Sequence, residues 1–388
     1  MEIDEKHNPS SPNSWSELPL DLLSLVFESL SFANFQRAKT VCSSWYSASR
    51  QSVPKKNQIH WQILFPDQDN DNNSSCMLFN PEEKDKLYKT QDLGVEIAKN
   101  VCIATYGSWL LMKDPVLNIY ITNLFTHERI NLPPVELLWK DYELRFSSEE
   151  YRGMNIRSPR FWIDEKTKDY VVVWALRNRW IFYSKKGDNL WNKIPEISDC
   201  LDMVYKDHKL YFLNHGWLFN IFDISGETPR KTFQCVVMVE TGFQPSMDTY
   251  EHRCKSWIFT DTKLVVTVAG QVLKVEKWWI RKNKSWSFRV LNRECRRPEI
   301  ESLGDESMLL DQGITVLAND TNGFIRNSIY FSASNYEKRG TKDHYKNDFY
   351  IFNFKTQKTE LLHTCDTFDG SILQFARARW FLPSFTHA

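Results

Sequence analysis

The sequence carries no net charge: its 388 residues hold 49 Lys or Arg against 49 Asp or Glu. That balance supplies no bulk field to hold a nucleic acid or an anionic membrane surface. Long apolar runs are missing as well. No stretch approaches the roughly 20 residues that a membrane-spanning helix requires, so no membrane partner is expected. The eight cysteines, at positions 42, 76, 102, 200, 235, 254, 295 and 365, never fall at C-x-x-C spacing. Neither a zinc ribbon nor a disulfide framework is indicated, and free thiols in a reducing compartment, nucleus or cytoplasm, are expected. Residues 1–14 form a polar segment with Pro9 and Pro12, expected to be a disordered tail. They lack the basic start and apolar run of a secretory signal, so the acceptor patterns at Asn73, Asn283 and Asn319 carry no weight. Catalytic signatures are absent too: there is no G-x-S-x-G, H-E-x-x-H, P-loop or G-x-G-x-x-G. The nine histidines are dispersed, with His208 and His215 flanking one strand. No catalytic residue, metal or cofactor is expected.

What is present in quantity is core material. Hydrophobic residues make up 42% and aromatics 14%, with 15 Trp and 25 Phe, enough for two or three domains at this length. One stretch, Trp15 to Trp45, has helical character. Pro19 suits a first helical position, where its missing N–H is not needed. Asp21 follows in the first turn, at the positive end of the helix dipole. Leu18, Leu22 and Val26 recur every four residues, and Leu23, Phe27 and Leu30 continue the apolar set with a helical period. Asn34 is placed to cap a second short helix running to Ala38. Val41, Cys42 and Trp45 add further apolar surface. About forty residues cannot bury this much internally, so the segment needs a partner.

Residues 15–50 resemble the F-box, the module that docks substrate receptors onto cullin-RING (SCF) ubiquitin ligases. The resemblance rests on Leu18-Pro19-x-Asp21-Leu22-Leu23, Val26-Phe27, Leu30 and Val41-Cys42-x-x-Trp45. Asn34 stands where an acidic residue is common, and Phe35-Gln36-Arg37-Ala38 replaces a more usual Leu-x-Arg run. The resemblance implies a three-helix module whose apolar residues (Leu18, Pro19, Leu22, Leu23, Val26, Phe27, Leu30, Val41, Cys42 and Trp45) bind a Skp-type adaptor or pack the module. The adaptor would link the chain to cullin and RING subunits.

After a polar joint at 51–58, helical periodicity gives way to short runs rich in Val, Ile, Tyr, Phe and Trp, separated by Gly, Asn and Asp turns. Examples are Gly107-Ser-Trp-Leu-Leu-Met, Tyr170-Val-Val-Val-Trp-Ala-Leu, Lys209-Leu-Tyr-Phe-Leu and Phe349-Tyr-Ile-Phe-Asn-Phe. Turns are expected at Asp114-Pro115, Arg177–Arg179, His215-Gly216 and Ala269-Gly270. The run Pro66 to Ser75 begins like a calcium loop, but Asn72 and Leu78 stand where the template demands Gly and Glu, so a solvated loop is expected. The runs group into units of roughly forty residues, the size of a propeller blade. Six units are clear, and 345–383 offers material for a seventh. A radial array of four-stranded sheets over 59–383, its last strands pairing with the first blade, accounts for the strands without a long open edge. The expected fold is therefore mainly β, with an N-terminal α module and a β-propeller of about six to seven blades.

No Gly-Gly doublet and no Trp-Asp dipeptide occur, which disfavours kelch and WD40 repeats. In order, Gly107-Ser-Trp-Leu-Leu, Asn131-Leu-Pro-Pro, Asp169-Tyr-Val-Val-Val, Lys209-Leu-Tyr-Phe-Leu, Glu301-Ser-Leu-Gly-Asp, Asn327-Ser-Ile-Tyr-Phe and Trp380-Phe-Leu-Pro resemble plant F-box proteins whose C-terminal part is a divergent β-propeller. The resemblance implies a non-catalytic substrate receptor that brings a protein target to the ligase. Holding a target lysine near a charged carrier makes their encounter effectively intramolecular. Two other readings are a propeller enzyme or small-ligand protein with a helical cap, and an F-box scaffold that does not lead to degradation.

One local feature stands apart. Between Lys274 and Arg297 lie nine Lys or Arg, interleaved with Trp278, Trp279 and Trp286. Such a hairpin could dock an acidic protein segment through Lys282, Lys284 and Arg289. It could also grip single-stranded nucleic acid, or be the solvated face of an amphipathic hairpin whose tryptophans pack between blades. Nucleic acid is the least favoured of the three.

Overall fold

A computed structural model describes residues 15–30, 32–52, 61–65, 75–80, 87–90, 100–136, 138, 156–176, 180–195, 197, 199–214, 218–236, 257–292, 299–318, 324–339, 342–363 and 377–381. The expected tail, most of the joint at 51–58, the acidic loop at 66–74, and the turns at 177–179 and 215–216 lie outside the described residues. The chain divides into two compact units, one built on Met1–Ile59 and the other on His60–Asp320 with Phe324–Ser384.

The first unit is helical. A 3-10 turn at Trp15–Glu17 precedes α1 (Leu20–Ser29), α2 (Phe32–Ala38) and α3 (Ser43–Ser49). Pro19 is the residue before α1 rather than its first helical residue: its ψ of 145° is extended, while its carbonyl accepts from the Leu23 N–H at 3.0 Å. Asn34 does not cap α2, which begins two residues earlier at Phe32. Asn34 sits inside it, 3.4 Å from Arg37 Nη1. The core of the unit is Leu23, Phe27, Phe35, Ala38 and Ala48, with Leu18, Leu30 and Trp45 packed against it. Phe27 meets Phe35 and Trp45 edge-on, at 5.1 and 5.7 Å between centroids. The Trp45 indole N–H donates to the Trp15 carbonyl at 3.0 Å, tying α3 to the opening turn.

The second unit is a β-propeller of short antiparallel sheets. In chain order its strands are β1 (Trp61–Phe65), β2 (Met77–Phe79), β3 (Leu87–Lys89), β4 (Val101–Tyr106), β5 (Trp109–Lys113), β6 (Ile119–Asn123) and β7 (Arg129–Asn131). Then follow β8 (Ile156–Ile163), β9 (Tyr170–Leu176), β10 (Trp180–Lys185), β11 (Asn192–Lys193), β12 (Asp202–Lys206), β13 (Lys209–Leu213), β14 (Leu218–Asp223) and β15 (Arg230–Val236). The remainder are β16 (Trp257–Val266), β17 (Val272–Ile280), β18 (Ser285–Asn292), β19 (Glu306–Leu309), β20 (Ile314–Leu317), β21 (Ser328–Arg339), β22 (Lys342–Asn353), β23 (Lys358–His363) and β24 (Arg377–Phe381). Strands β4–β7, β8–β11 and β12–β15 form three four-stranded sheets, and β24-β1-β2-β3 forms a fourth. An eight-stranded sheet, ordered β18-β17-β16-β20-β19-β21-β22-β23, contains two four-stranded halves joined through the β19–β20 hairpin. The described strands thus make six blades. The described strands within 345–383 do not form a seventh: they complete the sixth blade and, through β24, the first.

The innermost strands follow one another around the axis. β24 lies beside β4, β4 beside β8, β8 beside β12 and β12 beside β16. β24 closes the ring by pairing antiparallel with β1, from Trp61↔Phe381 to Phe65↔Arg377. The Thr105 hydroxyl on β4 donates to the Trp380 carbonyl on β24 at 2.7 Å. The last strand is thereby bonded to both the first and the second blade.

Each blade is covered on both faces by its neighbours, which explains the apolar runs. In β9, Val172, Trp174 and Leu176 enter the core shared with the second blade, while Val171, Val173 and Ala175 enter the core shared with the fourth. A strand buried on both faces has no polar side to alternate with. The same logic places Phe212 with Ile181, Val204 with Leu264, Phe288 with Phe331, and Trp380 with Phe349. At Gly313 the blades come so close that a Cβ would lie 2.5 Å from Val204 Cγ2 and 2.9 Å from the Leu264 carbonyl oxygen.

Trp380 is 4% exposed and meets Phe349 and Tyr330 edge-on. Trp380→Ala empties the point where the ring closes and should cost about 3–5 kcal/mol. Urea denaturation is the check, and a loss below about 1 kcal/mol would show that β24 contributes little to closure.

Candidate functional site

The candidate docking surface of the helical unit follows from the period of α1. Leu23 and Phe27, four apart, face inward and are 1% and 0% exposed. Leu22 and Leu25, three apart, share a different face and are 49% and 59% exposed. Val26 lies at the border between these faces and is half-buried. Val41, just before α3, is 59% exposed, and Trp15, Leu20 and Tyr46 are exposed as well. The helix is thus apolar on two sides, and its own core uses one.

The ten residues singled out from the sequence therefore separate. Leu23 and Phe27 belong to the internal packing and present nothing to a partner. Leu18, Leu30 and Trp45 are half-buried against that core. Pro19, Leu22 and Val41 are exposed, while Val26 and Cys42 are half-buried. Sequence reasoning missed Leu25 and Tyr46 as exposed apolar positions, and Phe35 as a core residue. Phe35 and Ala38, three apart in α2, carried the helical signal that would have found the last.

Cys42 has chemistry of its own. Its sulfur lies 3.1 Å from the Ser44 hydroxyl. Hydrogen bonds from that hydroxyl and from the Trp45 backbone N–H lower its pKa from the ordinary thiol value. The buried propeller thiols go the other way. Burial pushes Cys102 up to about 12, and Cys76 and Cys200 are also raised by burial. Thiolate is the reactive form, so these four cysteines differ sharply in accessibility and ionisation.

Near the propeller axis, a charged cluster bridges three inner strands. Asp202 opens β12 and is fully buried. Its Oδ1 accepts from the Ser158 hydroxyl at 2.7 Å, and its Oδ2 from the Leu264 N–H at 2.9 Å. Arg160 Nη2 is 3.7 Å away and Lys263 Nζ 3.9 Å. Ser158 and Pro159 sit in a bulge between Arg157 and Arg160, with Ser158 at φ 44°. Bulges re-aim side chains, and a proline at this point gives up no ladder bond. Asp202 raises the Lys263 pKa, as does Asp261, whose Oδ2 is 3.2 Å from Lys263 Nζ. The arrangement ties β8, β12 and β16 together and spends the carboxylate on protein donors. Among the described residues no group of three or more His, Cys, Asp or Glu is placed to hold a metal ion.

The basic hairpin is β17–β18. Trp286 is buried, with Trp279 packed beside it at 4.8 Å between centroids, so both serve the core between the fifth and sixth blades. Lys274 is buried and bonded to Glu276 at 2.7 Å. Lys277 lies over the Trp286 and Phe331 rings and donates to the Ser332 carbonyl; burial lowers its pKa to about 8. Arg289 pairs with Glu299 at 3.0 Å and lies 4.0 Å from Glu276. It therefore does not belong with Lys282 and Lys284 as an uncompensated cation. Arg293, Arg296 and Arg297 lie outside the described residues.

Two protein-family models match the helical and the β unit in turn. The F-box domain family matches residues 15–57 and the KIB1-4 beta-propeller family matches residues 78–353. The chain is 60% identical to the Putative F-box protein At4g22170 of Arabidopsis thaliana, over 99% of both chains. It is 51% identical to the Probable F-box protein At4g22165 of the same plant, over 99% of this chain and 100% of that one. Among solved structures, the N-terminal domain of Nup159 aligns at 8% identity and a TM-score of 0.34, covering 87% of this chain and 85% of that one. The β-propeller domain of Myceliophteria thermophila Cps50 (Swd1) aligns at 10% identity and a TM-score of 0.35, covering 74% and 98%. The fold and the helical unit define an F-box protein with a propeller. The chain belongs to the plant F-box proteins that carry a KIB1-4 β-propeller.

Removing the Asp202 carboxylate leaves two cations facing each other across a seam. Asp202→Ala should cost about 3–5 kcal/mol, the range for breaking a buried charge pair. Thermal and urea melts test this; a change within about 0.5 kcal/mol would show that the cluster is solvated rather than structural.

Proposed function

We propose that this chain is the substrate-recognition subunit of an SCF ubiquitin ligase. The F-box binds a Skp-type adaptor and through it the cullin and RING subunits, and the propeller binds a protein substrate. The single observation that carries the reading is the second apolar face of α1. Leu22 and Leu25 on α1, and Val41 just before α3, are exposed although the unit already has a core. Exposed apolar surface of this kind marks an interaction site. The family membership supplies the chemistry of the partner. On this reading the chain is not an enzyme: ubiquitin transfer belongs to the RING partner, and this chain contributes proximity. The nucleus or the cytoplasm is its proposed place of action, as expected of a chain whose cysteines show no disulfide spacing.

The test separates docking from packing. Leu22→Asp with Val41→Asp should weaken adaptor binding at least roughly tenfold, the effect of losing central interface residues, while leaving the melting temperature nearly unchanged. Phe27→Ala should instead cost about 3–5 kcal/mol of stability in the helical unit. Pull-down with a purified Skp-type adaptor, beside a thermal melt of each variant, reads both. A well-folded wild-type chain that binds no adaptor would overturn the proposal.

Cys42 provides a footprint of the same interface. Iodoacetamide should modify it faster than Cys76, Cys102 or Cys200 at neutral pH, with the sites resolved by peptide mass spectrometry. Bound adaptor should slow modification of Cys42 alone among these four. An unchanged rate would place the adaptor elsewhere.

A further inference from the structure

The hairpin of the fifth blade runs past the start of the fourth blade's inner strand, alongside the long β21–β22 hairpin of the sixth. The Leu264 N–H is bonded to Asp202, the first residue of β12. Seven residues of β16, Trp257 to Lys263, precede that level, a length of roughly 20 Å at the rise of a strand. β17 accompanies them in register, from Lys263↔Val275 back to Trp257↔Ile280. The turn Arg281-Lys282-Asn283-Lys284 that joins β17 to β18 lies at this end of the ribbon.

The two faces of the ribbon differ. On one, Val275, Lys277, Trp279, Trp286 and Phe288 are cross-strand neighbours and pack on the sixth blade. On the other, Phe259 pairs across the ladder with Trp278, their rings 5.2 Å apart and edge-on at 69°. Phe259 is 49% exposed and Trp278 is half-buried. Trp278 is three strand positions from Arg281, about 10 Å.

Charge along the ribbon is one-sided although the chain as a whole is neutral. Residues 257–292 hold seven Lys or Arg and two acids. Those acids are already engaged: Asp261 with Lys263, and Glu276 with Lys274 and Arg289. Glu299, from the adjoining segment, also serves Arg289. At the tip, Arg281, Lys282 and Lys284 are exposed, and none is paired with an acid among the described residues.

We infer that the tip of the β16–β18 ribbon docks an acidic segment of a partner protein, with an apolar side chain of that segment seated on Phe259 and Trp278. The inference rests on the receptor reading above and gives the chemical class of the substrate. Three uncompensated cations attract acidic chains and steer their approach. An aromatic pair beside them supplies the apolar anchor that charge alone lacks. Single-stranded nucleic acid fits less well, since it needs a succession of open ring faces on which bases stack. Here Trp279 and Trp286 are committed to the core, and the remaining pair is edge-on.

The experiment uses the full chain and a dye-labelled synthetic peptide of glutamate and phenylalanine, read by fluorescence anisotropy. A glutamine-for-glutamate peptide and a labelled oligothymidine serve as comparisons. The acidic peptide should bind and should weaken as salt is raised. Lys282→Glu with Lys284→Glu should weaken it roughly tenfold, and Phe259→Ser by several-fold. The charge reversals are at exposed positions and should leave the melting temperature nearly unchanged, while Phe259→Ser, which loses one ring contact, should lower it only slightly. No binding of the acidic peptide, equal binding by the variants, equal binding of the glutamine peptide, or tighter binding of oligothymidine would each overturn the inference. Adaptor pull-down on the same variants keeps the two proposals apart: it should be unaffected by the ribbon changes. Loss of adaptor binding in the wild type, with peptide binding intact, would sink the ligase reading and leave the docking surface standing.

Discussion

The structure of the propeller depends on one constraint: each blade is apolar on both faces, so each must have a neighbour on both sides. Tyr170 to Leu176 shows the consequence most directly, since alternate residues of a single strand feed two different cores. An open row of such sheets would leave one apolar face bare at each end. Closing the row into a ring removes both ends, and the pairing of β24 with β1 is what closes it. Ring closure is therefore a requirement of the side-chain pattern, and the residues of β24 are among those that can least tolerate change.

Polar groups at the centre obey the same geometry. Inner strands of neighbouring blades do not share a hydrogen-bonded ladder where they are only side by side, so side chains must make the cross-links. Asp202 does so for three strands at once, taking the Ser158 hydroxyl, the Leu264 N–H and the charges of Arg160 and Lys263. The carboxylate is already surrounded by protein donors. That use of an axial acid differs from a ligand site, in which the donors and acceptors would be left open to a cavity.

The helical unit follows a different economy. A domain of this size buries only part of its apolar surface, and α1 shows how the surplus is arranged. Leu23 and Phe27 close the core, and Leu22 and Leu25 remain outside it. Periodicity identified the helix and its apolar residues, but a helix that is apolar on two sides does not declare which side is internal. The same limit applied to Pro19 and Asn34, whose residue types fit helix starts one and three positions away from where the helices begin. Within the ribbon at β16–β18, the run of cations was plain to see. Its division was not: Lys277 and Arg289 are taken up by partners that come from other strands and segments, and Lys274 by Glu276 on its own strand.

The sequence by itself determined the class of the protein, the period and rough position of its helices and strands, and the identity of the segment that closes the ring. These follow from short-range pattern, because hydrophobic period and turn chemistry act within a few residues. Tertiary structure alone decided which apolar residues face outward, which cations remain unpaired, and that Asp202 joins three blades. Those properties depend on contacts between residues far apart in the chain, such as Asp202 with Leu264 or Thr105 with Trp380. Such contacts leave no local pattern, since their energy comes from burial and charge pairing that exist only once the blades have come together.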